Sequence, residues 1–74
     1  MTLEIVQVLM EKGGLNQERI RRAVAGRRGC EPSAISSRAV SDALDAMRAA
    51  DPSPIVGGAW GGYHLTAFGR RLLV

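Results

Sequence analysis

The hydrophobic period of this chain changes once, and that change limits what it can fold into. From Leu3 to Met47 apolar residues recur at spacings of three and four, as they do where helices bury one face. After Pro54 the pattern becomes Ile55-Val56, then Gly57-Gly58-Ala59-Trp60-Gly61-Gly62, then Tyr63-His64-Leu65. That reads as two short strands joined by a glycine-rich loop. The expected class is therefore α+β, with helices first and one hairpin after them. At 74 residues the chain has room for a single domain, residues 1–74, with a modest core.

The first helix is predicted from Thr2, its N-cap, to Lys12, with Leu3, Ile5, Val6, Leu9 and Met10 on the apolar side. Gly13-Gly14 stops it. Asn16 caps a second helix, in which Leu15 and Ile20 are placed to form a hydrophobic staple and Ile20, Ala23 and Val24 face inward. Gly26 is read as its end, which leaves Arg27-Arg28-Gly29-Cys30-Glu31-Pro32 as a basic link. The third helix begins near Ser33 or Ser36 and runs to about Ala50, with Val40, Ala43, Leu44 and Met47 as its stripe. Its opposite face carries Ser37, Arg38, Ser41, Asp42, Asp45 and Arg48. In the hairpin, residues 55–65, Tyr63 and Leu65 point one way and His64 the other. Thr66 caps a short closing helix, with Phe68, Leu72 and Leu73 inward and Arg70 and Arg71 wet.

The closing string Tyr63-His64-Leu65-Thr66-Ala67-Phe68-Gly69-Arg70-Arg71-Leu72, following three helices, resembles the winged helix-turn-helix regulators of the MarR and PadR type. Their wing commonly returns as Y-x-L-T-x-x-G-x-x-L. Ala39-Val40-Ser41-Asp42-Ala43-Leu44-Asp45-Ala46-Met47 is similar to their recognition helix. The resemblance implies a winged helix: a three-helix bundle with a C-terminal two-stranded β-wing and a short closing helix, the third helix entering the major groove of double-stranded DNA.

Charge agrees with a polyanionic partner. Ten Lys and Arg against seven Asp and Glu give +3, and nine of the ten cations are arginine, whose planar fork suits phosphates and base edges. Cys30 is the only cysteine, so cysteine-based metal sites lack their ligands and a reducing cytoplasm is the expected setting. No apolar run reaches the ~20 residues of a membrane helix, and the first residues lack the cations of a secretory signal. His64 has no partner at metal-ligand spacing. The Gly57–Gly62 loop lacks the Lys-Ser/Thr ending of a phosphate loop. No acid–base pair or activated nucleophile is evident, so neither an enzyme nor a cofactor is expected.

The sequence therefore predicts a sequence-reading DNA-binding protein, a small transcriptional regulator that places helix 33–50 in the major groove and the wing on the backbone or minor groove. Ser37, Arg38 and Ser41 are the candidate reading residues, with Arg38 able to grip guanine bidentately. Arg27 and Arg28 in the basic link are candidate phosphate clamps, or simply a solvated loop. Trp60, between glycine pairs, either meets a partner or folds back over the hairpin. A monomer this small reads few base pairs, so useful specificity would need a homodimer, a tandem site or a larger complex with a protein partner. The alternative is a protein-interaction module, an adaptor or inhibitor docking through the same helix and Trp60. Asp42 and Asp45 suit it, because a carboxylate on a DNA-facing helix is repelled by phosphate unless a cytosine amino group meets it.

Overall fold

The computed structural model describes residues 1–58 and 61–72. The chain is α+β: helices α1 (Thr2–Glu11), α2 (Gln17–Arg28) and α3 (Ser37–Ala49), strands β1 (Ile55–Gly58) and β2 (Gly62–Leu65), and helix α4 (Ala67–Arg71). One apolar cluster joins Ile5, Val6, Val8, Leu9, Ile20, Val24, Val40, Leu44 and Met47 to Ile55, Tyr63 and Leu65 of the hairpin.

Capping chemistry sets most helix starts. The Asn16 side chain accepts from the Arg19 amide, Ser36 from the Ala39 amide and Thr66 from the Gly69 amide, each satisfying a first-turn donor that the helix cannot. The first helix is the exception. Met1 stands at its N-cap and makes no side-chain cap, so Thr2 is the first helical residue rather than the cap.

Its buried face also differs from the expected stripe. Ile5, Val6, Val8 and Leu9 are buried, whereas Leu3 and Met10 are 56% and 42% exposed. Most of this helix is apolar, so periodicity alone leaves its orientation open. Packing against α2 on one side and β2 on the other selects the inner set.

The second helix continues past Gly26 to Arg28, and Gly29 ends it at φ 71°. A glycine in an exposed helix interior costs only about 1 kcal/mol relative to alanine. The left-handed cap is where glycine has the larger advantage. The link to α3 is correspondingly short and ordered: Pro32–Ala34 form a 3₁₀ turn, Ile35 plugs the core, and the Arg21 guanidinium donates to the carbonyls of Pro32 and Ile35.

The hairpin pairs Ile55 with Leu65, Val56 with His64, Gly57 with Tyr63 and Gly58 with Gly62. Tyr63 and Leu65 are buried and His64 is exposed, as the two-residue period predicts. A third segment joins this ladder, with the Gly14 amide donating to the Tyr63 carbonyl and the Tyr63 amide to the Leu15 carbonyl, both at 2.8 Å. Gly62 sits at φ 73° against the Gly14 carbonyl, where any Cβ would collide.

The closing helix is held from behind. Thr66 donates through its hydroxyl to the Ser53 carbonyl at 2.6 Å, and its amide donates to the Pro54 carbonyl at 3.0 Å. Gly69 lies so close to that same Pro54 carbonyl that a Cβ would run into it. Phe68 and Leu72, expected inside, are instead 38% and 41% exposed. A five-residue helix docked through Gly69 presents a backbone face to the core, so its large side chains are left at the edge. The inward reading of Leu73 falls outside the described residues.

Candidate nucleic-acid interface

Three elements meet at one end of the molecule. Leu15 is bonded to Tyr63 of the hairpin, Asn16 next to it caps α2, and the Gln17 side-chain amide donates to the Ser37 carbonyl at 3.1 Å. The starts of α2 and α3 and the inner strand of the hairpin are therefore fastened together within a few residues. Two helix N-termini, each with partial positive charge, share that end.

The third helix is seated by Val40, Leu44 and Met47, all with no more than 3% exposure. At 3.6 residues per turn, Arg38, Asp42, Asp45 and Ala49 fall on the opposite meridian, and all four are exposed. Ser37 and Arg48 lie exposed along one flank, with half-buried Ser41 between them. The Arg38 and Asp42 side chains are 90% and 71% exposed, and Arg38 Nε stands 3.9 Å from Asp42 Oδ2, an ion pair too long for a hydrogen bond. The outer meridian thus carries one cation and two carboxylates, none committed to holding the fold.

Arg27 and Arg28 are elsewhere. They occupy the last turn of α2 rather than a link, the better part of a helix length from the Gln17–Ser37 contact. Both cross to α1: Arg27 donates to Glu11 and Gln7, and Arg28 grips both carboxylate oxygens of Glu4. The two hydrogen bonds from Arg28 pull the Glu4 carboxyl from 4.5 down to about 2, and the N-terminal ammonium, 3.5 Å away, adds to the effect. Arg21 similarly lowers the Glu18 carboxyl by hydrogen bonding to it. Arg27 and Arg28 hold α2 to α1, and Arg21 holds α2 to the Pro32–Ile35 link.

Ser37 and Arg38 are thus brought together at the exposed start of α3, Ser41 lies on its flank, and Arg27 and Arg28 stand apart. Trp60 lies outside the described residues. Sequence reasoning missed the part played by Gln17 and by Gly14-Leu15, which tie the helix starts to the hairpin. Only the Leu15–Ile20 staple spacing hinted that this turn is fixed. It also missed that Lys12, Arg19, Arg48, Arg70 and Arg71 are the cations left without an ion pair among the described residues.

Among the described residues there is no group of three or more metal-ligating side chains, and no helix is long and apolar enough to cross a membrane. A shallow apolar groove of about 380 Å³ lies between the end of α3 and α4, lined by Ala46, Met47, Ala50, Pro52, Pro54 and Phe68 among others. No family model, curated protein or solved structure matches the chain.

Proposed function

We propose that the chain is a winged-helix DNA-binding protein, a small cytoplasmic regulator that lays the outer face of α3 in the major groove and the hairpin along the backbone or adjacent minor groove. The observation that carries this reading is the joined end of the molecule. There the starts of α2 and α3 are tied by the Gln17–Ser37 bond, beside an outer α3 face that has no structural duty. Ser37 and Arg38 open that face, and Ser41 and Arg48 flank it. Arg27 and Arg28 are not assigned to phosphate, because Glu4 and Glu11 already neutralise them. Arg19 and Arg48 take that role in the proposal.

The test is fluorescence anisotropy with a labelled mixed-sequence duplex at low and at physiological salt. Binding in the range of ~1 to 100 µM is expected, weakening with salt as a handful of phosphate contacts should. No retention of duplex at low salt defeats the reading.

A second reading, docking on a protein through the same helix, is favoured by one specific observation: the outer meridian of α3 carries Asp42 and Asp45 against Arg38 alone. Pull-down on immobilised wild-type protein, with Arg38→Ala and Asp45→Ala as controls, tests it. A partner lost with either substitution, together with indifference to duplex, would support docking.

A further inference from the structure

Asp42 and Asp45 stand exposed on the outer meridian of α3 beside Arg38, where a phosphate would repel them and a cytosine amino group would not. We propose that α3 reads G·C base pairs, with Arg38 on a guanine and Asp42 and Asp45 on cytosine amino groups. This rests on the DNA reading above. Asp42 and Asp45 share one meridian with Arg38, all are exposed, and the only ion pair that any of them makes among the described residues is the loose 3.9 Å approach of Arg38 to Asp42. A helix that enters the groove on this meridian carries both carboxylates to the base edges.

An ionised carboxylate only accepts hydrogen bonds. Among the base edges of the major groove, guanine and thymine offer it only acceptors. Adenine offers a donor beside the N7 acceptor, and cytosine offers the N4 amino group alone. Cytosine is therefore the base that suits Asp, and guanine, with O6 and N7, is the base that suits Arg. The side-by-side Arg38 and Asp42 match the acceptor and donor halves of G·C edges. The rise from Arg38 to Asp45 is about 10 Å along the helix axis, on the order of three base-pair steps. The contact would thus span a short G·C-containing core rather than one isolated pair.

The experiment is selection from duplexes randomised over a short core, followed by anisotropy with wild type, Asp42→Asn, Asp45→Asn and Arg38→Ala. Wild type is expected to enrich guanine and cytosine within the core. Asparagine pairs bidentately with adenine N6 and N7, so Asp45→Asn should move one core position from cytosine to adenine, with about a tenfold change in relative affinity. Asp42→Asn should do the same at a different position, and Arg38→Ala should erase a guanine preference. If Asp45→Asn and Asp42→Asn instead tighten every duplex equally, the carboxylates face phosphates and the inference is overturned while DNA binding stands. An unchanged selected sequence overturns it too. Failure of the wild type to hold any duplex at low salt removes the DNA reading itself, and the inference with it.

Discussion

The seam between α1 and α2 and the outer face of α3 are built from the same charged residue types and put them to opposite uses. At the seam Arg27 and Arg28 each reach across to a carboxylate on the other helix, and Glu4 is held ionised down to about pH 2. On α3, Arg38 and Asp42 remain 90% and 71% exposed at 3.9 Å, and Asp45 makes no ion pair among the described residues. An arginine count therefore measures cations and not available cations. What separates the two regions is the partner helix: the seam has one and the outer face of α3 does not.

Breaking the support under the exposed face should have the largest effect. Leu44→Ala removes the centre of the inner stripe of α3, and a stability loss of about 2–5 kcal/mol is expected in urea unfolding. Gly69→Ala, which drives a Cβ into the Pro54 carbonyl, should cost about 1–3 kcal/mol by the same assay. A value near zero there would mean that α4 can shift without consequence.

Acid titration sharpens the contrast between the regions. Because the folded Glu4 carboxyl titrates near 2 and an unfolded one near 4.5, its contribution is complete above about pH 4.5 and is lost as pH falls towards 2. Glu18, lowered by Arg21, acts in the same direction. Melting temperature should fall over this range in wild type, and less steeply in Glu4→Gln. Parallel curves for the two proteins would remove Glu4 from the account.

The smallest stability effect belongs to α3's outer face. Arg38→Ala should change unfolding free energy by no more than about 0.5 kcal/mol and, on the proposed DNA reading, weaken duplex binding. Arg28→Ala should do the reverse, lowering the melting temperature and leaving binding alone. If Arg28→Ala weakens duplex binding as much as Arg38→Ala does, the division between the two regions is not functional.

Much of this architecture was legible in the residues. The caps Asn16 and Thr66 and the α3 stripe Val40, Leu44, Met47 are local signals, whereas the choice of Ser36 over Ser33 as the α3 cap depends on the 3₁₀ turn that Ser33 joins. The alternation Tyr63, His64, Leu65 gave the hairpin's inner face equally well. The failures share a cause. Gly26 looked like a stop because nothing nearby shows that Gly29 supplies the left-handed cap and that α1 offers Glu4 and Glu11 to hold the last turn. Phe68 and Leu72 read as core because apolar character does not reveal that Gly69, not Phe68, meets the neighbouring backbone, and Leu3 reads as core because α1 is apolar nearly all round and only its packing on α2 and β2 selects the inner side. Of the candidate site, the exposed position of Ser37, Arg38, Asp42 and Asp45 on α3 is visible from periodicity. The loss of Arg27 and Arg28 from it depends on contacts between helices far apart in sequence.

The Leu15–Tyr63 bridge has a consequence for the order of folding. It joins segments separated by roughly fifty residues of chain, so its closure entropy is larger than that of any contact within one helix, and it is expected to form late. Helix starts can nucleate from their own caps within microseconds or less, but the hairpin finds its inner neighbour only when the bundle presents Gly14-Leu15 in place. The Tyr63 amide is thus a late reporter in a pulsed hydrogen-exchange experiment. Protection of that amide later than the amides of α2 and α3 is the expected result, and simultaneous protection would mean that the joined end forms with the bundle.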